Sequence, residues 1–155
     1  MENNSKRRVE VILDREEDKP AVIEGLKYLV ANLGRENVRW HIISCHHNPD
    51  ELRMYALHCD ADVVIAVGGE TFILPTVLAS WLQHFNKAIP VIGIALGDSE
   101  ERDHLTLALS LEYSCDSAEG FLWNCARAVE GDHPSIKKKG ADKKPPHFNM
   151  PLVFE

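Results

Sequence analysis

The chain alternates between short apolar runs and longer stretches in which apolar residues recur every three or four positions. The first run, RVEVIL (8–13), alternates and is rich in branched side chains, as a strand should be. Asp18 and Pro20 then give an N-cap and first-turn signal. Val22, Ile23, Leu26, Leu29, Val30 and Leu33 follow at helical spacing, and Gly34 closes the helix. VRWHIIS (38–44) predicts a second strand, and Asn48-Pro49 opens a second helix with Leu52, Tyr55, Ala56 and Cys59 facing inward. DVVIAV (62–67) is continuously apolar, the pattern of a parallel strand buried on both faces. GGETF interrupts it, Leu74 to Phe85 reads as a third helix, and PVIGIAL (90–96) as a fourth strand. Beyond the polar DSEERDH, LTLALSLEY (105–113) alternates regularly enough for a fifth strand. Ser117 caps a final helix running through Glu130, with Phe121, Leu122, Cys125 and Val129 inward.

Strand and helix therefore alternate without a break over residues 1–131, which predicts one α/β domain. Its form is a three-layer open parallel sheet, flavodoxin- or Rossmann-like, with helices on both faces. Right-handed crossovers put the ligand crevice of such a sheet at the carboxyl ends of its strands. Residues 132–155 show no periodicity and are expected to form an extended arm. The arm ends in an apolar patch, Phe148 to Phe154, that a small monomer has little surface to cover. A homo-oligomer larger than a dimer, with residues 145–155 lying on a neighbour, is the expectation.

Composition narrows the function classes. Of the net charge of −7, the lysine-rich segment 137–144 contributes +4 and the rest of the chain −11. An acidic body with a short basic segment is a poor nucleic-acid binder, because phosphate contacts need a basic face. No apolar run approaches the ~20 residues of a bilayer span, and the basic start lacks a signal-peptide core. Neither membrane nor nucleic acid is expected as a partner, and the cytosol is the expected compartment. The four cysteines are scattered without a CxxC pair, so free thiols are expected. No metal site is expected from Cys45, His46, His47, His58 and Cys59, since neighbours on one turn rarely converge on an ion.

Candidate chemistry begins at ISCHHNPDEL (43–52), where the second strand gives way to the second helix. This stretch resembles the SAHRTP signature of the N5-carboxyaminoimidazole ribonucleotide mutase family, the AIR carboxylases of purine biosynthesis. VVIAVGGETFILP (63–75) and IPVIGIAL (89–96) are similar to that family's next two strands, in the same order and spacing. The resemblance covers roughly residues 8–130 and implies a carboxylate-transferring enzyme on a small-molecule ribonucleotide, without a cofactor, assembled as an octamer. Carried over, His46 is the catalytic acid–base: it protonates the carbamate nitrogen as carbon dioxide leaves and takes the proton from the recarboxylated imidazole carbon. Histidine suits both steps, because imidazole titrates close to neutrality. Asp18, Ser44, His47, Asn48, Gly68 and Gly69 are the implied substrate-binding positions.

Several positions depart from the family pattern. Its first loop, Gly-Ser-x-Ser-Asp, reads Asp14-Arg15-Glu16-Glu17-Asp18 here, so only Asp18 matches. Carboxylates there oppose a phosphate dianion. The signature arginine, a natural phosphate fork, is His47. Ile73 stands where the family has a histidine and Glu70 where it has a second glycine. The helix and glycine-rich loop that follow the family's fourth strand are shortened to GDSEERDH. A non-catalytic binding or assembly relative is therefore an alternative. GGETFILPTVLASWLQHFNKAIPV also faintly resembles the nucleotide phosphoribohydrolases, whose third glycine is absent. Glu16, Glu17 and Asp18 read as a solvated helix start, and Trp81 and Phe85 as core or interface.

Overall fold

A computed structural model describes residues 6–69, 72–97, 100, 115–116, 121–133 and 136. In chain order it contains β1 (Val9–Leu13), α1 (Lys19–Leu33), β2 (Val38–Ile42), α2 (Pro49–His58), β3 (Val63–Gly68), α3 (Leu74–His84), β4 (Val91–Ala95), β5 (Cys115–Asp116) and α4 (Phe121–Glu130). All strands run parallel in the order β2-β1-β3-β4-β5, the doubly wound order whose reversal point lies between β1 and β3. The predicted α/β class and open parallel sheet are those observed.

The continuously apolar strands follow from burial on both faces. Val9, Val11, Leu13, Val63, Ile65, Val67, Ile92 and Ile94 face α1 and α4. Ile12, Val64 and Ala66 face α2 and α3, where Leu52, Ala56, Leu74, Leu78 and Leu82 meet them. Alternation along each strand thus feeds two cores at once. Glu10 is the exception on the α2 side. It is 5% exposed, and its Oε1 lies 3.3 Å from His41 Nε2. The Cys59 thiol donates to its Oε2 over 3.9 Å.

The core uses only part of the apolar spacing on the helices. Ile23 and Val30 belong to the spacing that predicts α1 but stand half-exposed. The apolar positions of α1 wrap around more than one stripe, and the core selects Val22, Gly25, Leu29 and Leu33. A Cβ on Gly25 would collide with the Phe121 ring and sit 2.9 Å from Cys125 Sγ, so α1 and α4 cross at backbone-close range. Leu122, expected inward, is exposed because α4 turns Phe121, Asn124, Cys125 and Ala128 to the core. Those four share one helical stripe, and Leu122 lies just off it.

β2 ends at Ile42, two residues earlier than expected. The expected strand 105–113, the shortened segment after β4 and the apolar patch of the arm lie outside the described residues. At the start of the arm, His133 is buried and Ile136 packs on the α1 side of the core. Among the described residues, no helix is long and apolar enough to cross a membrane.

Candidate functional site

The loops that leave the carboxyl ends of β1, β2, β3 and β4 meet along one edge. Backbone bonds zip them together: Asp14 N–H donates to Val67 O at 3.0 Å, Ile43 N–H to Leu13 O at 2.9 Å, and Leu96 N–H to Gly68 O at 2.7 Å. The sheet ladder therefore continues one residue past the strands and fixes where each loop departs. This is the reversal point at which open α/β sheets form their crevices.

After β1, the chain places three site groups. Asp14 stands beside Gly68: its Cβ is 3.5 Å from the point where a Gly68 side chain would begin. Arg15 reaches over Gly69, with one terminal guanidinium nitrogen 2.9 Å from the corresponding point there. That nitrogen also donates to Asp18 Oδ1 at 3.2 Å. Any side chain at Gly69 would displace the guanidinium, and one at Gly68 would press on the Phe72 ring. The two glycines thus leave room for the Arg15 guanidinium and the Phe72 ring to close onto the backbone.

Asp18 corrects the solvated-helix reading of the first loop. It occupies the N-cap position of α1 but makes no capping bond, and only 6% of it is exposed. Glu16 and Glu17 are exposed, so the turn rotates one carboxylate of three inward. Asp18 Oδ2 and Asp14 Oδ1 are buried and have no hydrogen-bond partner among the described residues. Two sequestered carboxylate oxygens without donors are costly, and a ligand donating N–H or O–H groups relieves that cost.

After β2, Ser44 organises the turn. Its hydroxyl oxygen accepts from the backbone N–H groups of His46 and His47, each at 3.3 Å, and its carbonyl accepts from Asn48 N–H at 2.7 Å. Ser44 is therefore occupied as a structural cap. Asn48 stands at the N-cap of α2 and Pro49 at its first turn, as expected. His46 and His47 are exposed on this turn. Cys45, between Ser44 and His46, is partly buried, and its thiol pKa is raised by that burial and then by the Asp14 carboxylate. That electrostatic coupling ties the turn after β2 to the loop after β1. Ile73 is exposed.

The structure thus gathers Asp14, Arg15, Asp18, Cys45, Gly68 and Gly69 at the reversal point, with the His46–His47 turn on the same edge. Asp14 and Arg15 appear in the sequence only as departures from a family loop. Their signal is positional: they are the first residues after the strand that borders the reversal. No group of three or more His, Cys, Asp or Glu side chains among the described residues could hold a metal ion. Comparison of the sequence with models of known protein families and with curated proteins finds no match.

Proposed function

We propose that this crevice is a small-molecule site of the AIR-carboxylase type, moving a carboxyl group on an aminoimidazole ribonucleotide in the cytosol. One observation carries the reading: Asp14 Oδ1 and Asp18 Oδ2 are buried without a hydrogen-bond partner among the described residues, on the loop that leaves β1 at the reversal point. Ribose hydroxyls and an exocyclic amine are the donors those oxygens lack. His46, on the adjoining turn, supplies the proton carrier. The carbamate N–C bond breaks with release of carbon dioxide as His46 protonates the nitrogen. Carbon dioxide then adds to the imidazole carbon, whose proton returns to His46, so the group ends as it began. No cofactor takes part.

Phosphate recognition is the weak point of such a site. Asp14, Glu16 and Glu17 give the first loop negative charge, and Arg15 from the same loop reaches over Gly69. Titration calorimetry with the ribonucleotide and with its dephosphorylated nucleoside tests this directly. Comparable affinities are expected, with Asp18→Asn weakening both at least tenfold. Tight binding that depends wholly on the phosphate would overturn this account of the loop. The exposed Ile73 in a histidine position favours the second reading, a relative that binds but does not transfer. It is the outcome if the nucleoside binds through Asp18 and no carboxylate moves.

A further inference from the structure

Away from the crevice, β2 and the adjoining flank of α1 form an apolar face. β2 ends the sheet order, so the outward backbone groups of Val38–Ile42 pair with no strand among the described residues. Toward α1 this strand presents Val38, Trp40 and Ile42, with Trp40 44% exposed and Ile42 37%. Beside them lie Ile23 and Val30, the α1 residues that the core leaves out. An open groove of about 870 Å³ runs between helix and strand, with Lys19, Lys27 and Arg35 as its charged rim. Scattered apolar side chains on a surface are ordinary; a contiguous set along an unpaired edge is an interaction face. Natural edge strands carry Pro, bulges or inward charges against pairing. Val38–Ile42 has no Pro, keeps an unbroken register with β1, and turns its one permanent charge, Arg39, to the other side.

We propose that this face is the interface of a homodimer. In it, β2 pairs antiparallel with β2 of a second copy about a two-fold axis at Trp40, joining two sheets into one. The register is self-complementary. Trp40 meets its counterpart and Val38 meets Ile42, so the apolar row pairs with itself. On the other side Arg39 falls opposite His41 of the second copy, whose ring rests on the buried Glu10. The guanidinium therefore meets a carboxylate-backed histidine. The same axis runs the two α1 helices antiparallel, which sets the exposed Glu16 and Glu17 of one copy beside Arg35 of the other.

The area is of the right order. A 15-residue helix is about 22 Å long, and a face two elements wide offers on the order of 600 Å² per copy, close to the ~800 Å² of a standard interface. Sedimentation equilibrium of the full chain is expected to show a monomer–dimer equilibrium at micromolar protein. Trp40→Glu and, separately, Ile23→Glu should each weaken association at least tenfold with unchanged circular dichroism. Hydrogen exchange of the β2 amides should slow as protein concentration rises. A chain that stays monomeric to millimolar concentration would overturn the proposal. So would an oligomer that ignores both variants while β2 exchange stays independent of concentration, or one lost only on removing residues 145–155.

Discussion

At the scale of single residues, Cys45 reports on the crevice without any substrate. Burial first and the Asp14 carboxylate second raise its pKa above the ordinary thiol value of 9.0, so little of it is thiolate at neutral pH. Asp14→Asn removes the second cause, lowers the pKa and enriches the reactive form. Alkylation of Cys45 by iodoacetamide, followed by peptide mass mapping at pH 8, should become a few-fold faster in that variant. An unchanged rate would separate Cys45 from Asp14. For His46, His46→Asn keeps a polar side chain of similar reach but carries no proton near neutrality. It should abolish carboxylate transfer while moving stability by only about 0.5 kcal/mol, the scale of exposed positions; His47→Asn should be milder. Full activity in His46→Asn would remove it from the reaction. That Ser44, Asp18 and the glycines lie on loops at the carboxyl ends of the strands was legible, because the alternation of strand and helix fixes where each loop departs. That Ser44 spends its hydroxyl on two N–H groups was not, since a serine reads alike as ligand and as cap. Nor was the burial of Asp18 beside exposed Glu16 and Glu17, because composition treats three consecutive carboxylates as one.

At the scale of elements, the α1–α4 contact is the least forgiving place in the fold. Gly25 lets the Phe121 ring and the Cys125 thiol close onto the α1 backbone. Gly25→Ala raises helix propensity yet forces those groups apart, and overpacking of this kind costs about 1–3 kcal/mol. The urea midpoint should fall accordingly; a rise would show that the propensity gain wins. Strands were easy to read here because burial on both faces leaves unbroken apolar runs, as in Val63–Gly68. Helix faces were harder. α1 carries apolar residues around most of its circumference, so spacing could not tell Val22 and Leu29, which meet the core, from Ile23 and Val30, which do not. The deciding residue was a glycine, invisible to any apolar count.

At the scale of the whole molecule, buried acids set an alkaline limit. Burial raises the pKa of Cys59, Cys125 and Tyr55, so the folded chain holds their protons where the unfolded chain releases them. Their contribution is complete below the ordinary thiol value of 9.0 and is lost as pH rises through the higher folded values. Stability should therefore be level up to about pH 9 and then fall, by up to ~1.4 kcal/mol per pH unit for each group. Cys125→Ala should flatten that slope in denaturation series between pH 8 and 10.5, whatever packing it loses. An unchanged slope would show that Cys125 ionises equally in both states. The strand order carries a further consequence, for synthesis. β1 is made first but needs neighbours on both sides, and its second, β3, is complete only at Gly68. At ~5–20 residues per second a nascent chain spends roughly one to five seconds between finishing β2 and finishing β3. Through that interval the Val9–Leu13 edge stays open on the ribosome. A chaperone or a cotranslational partner has that window in which to reach the central strand before its second neighbour exists.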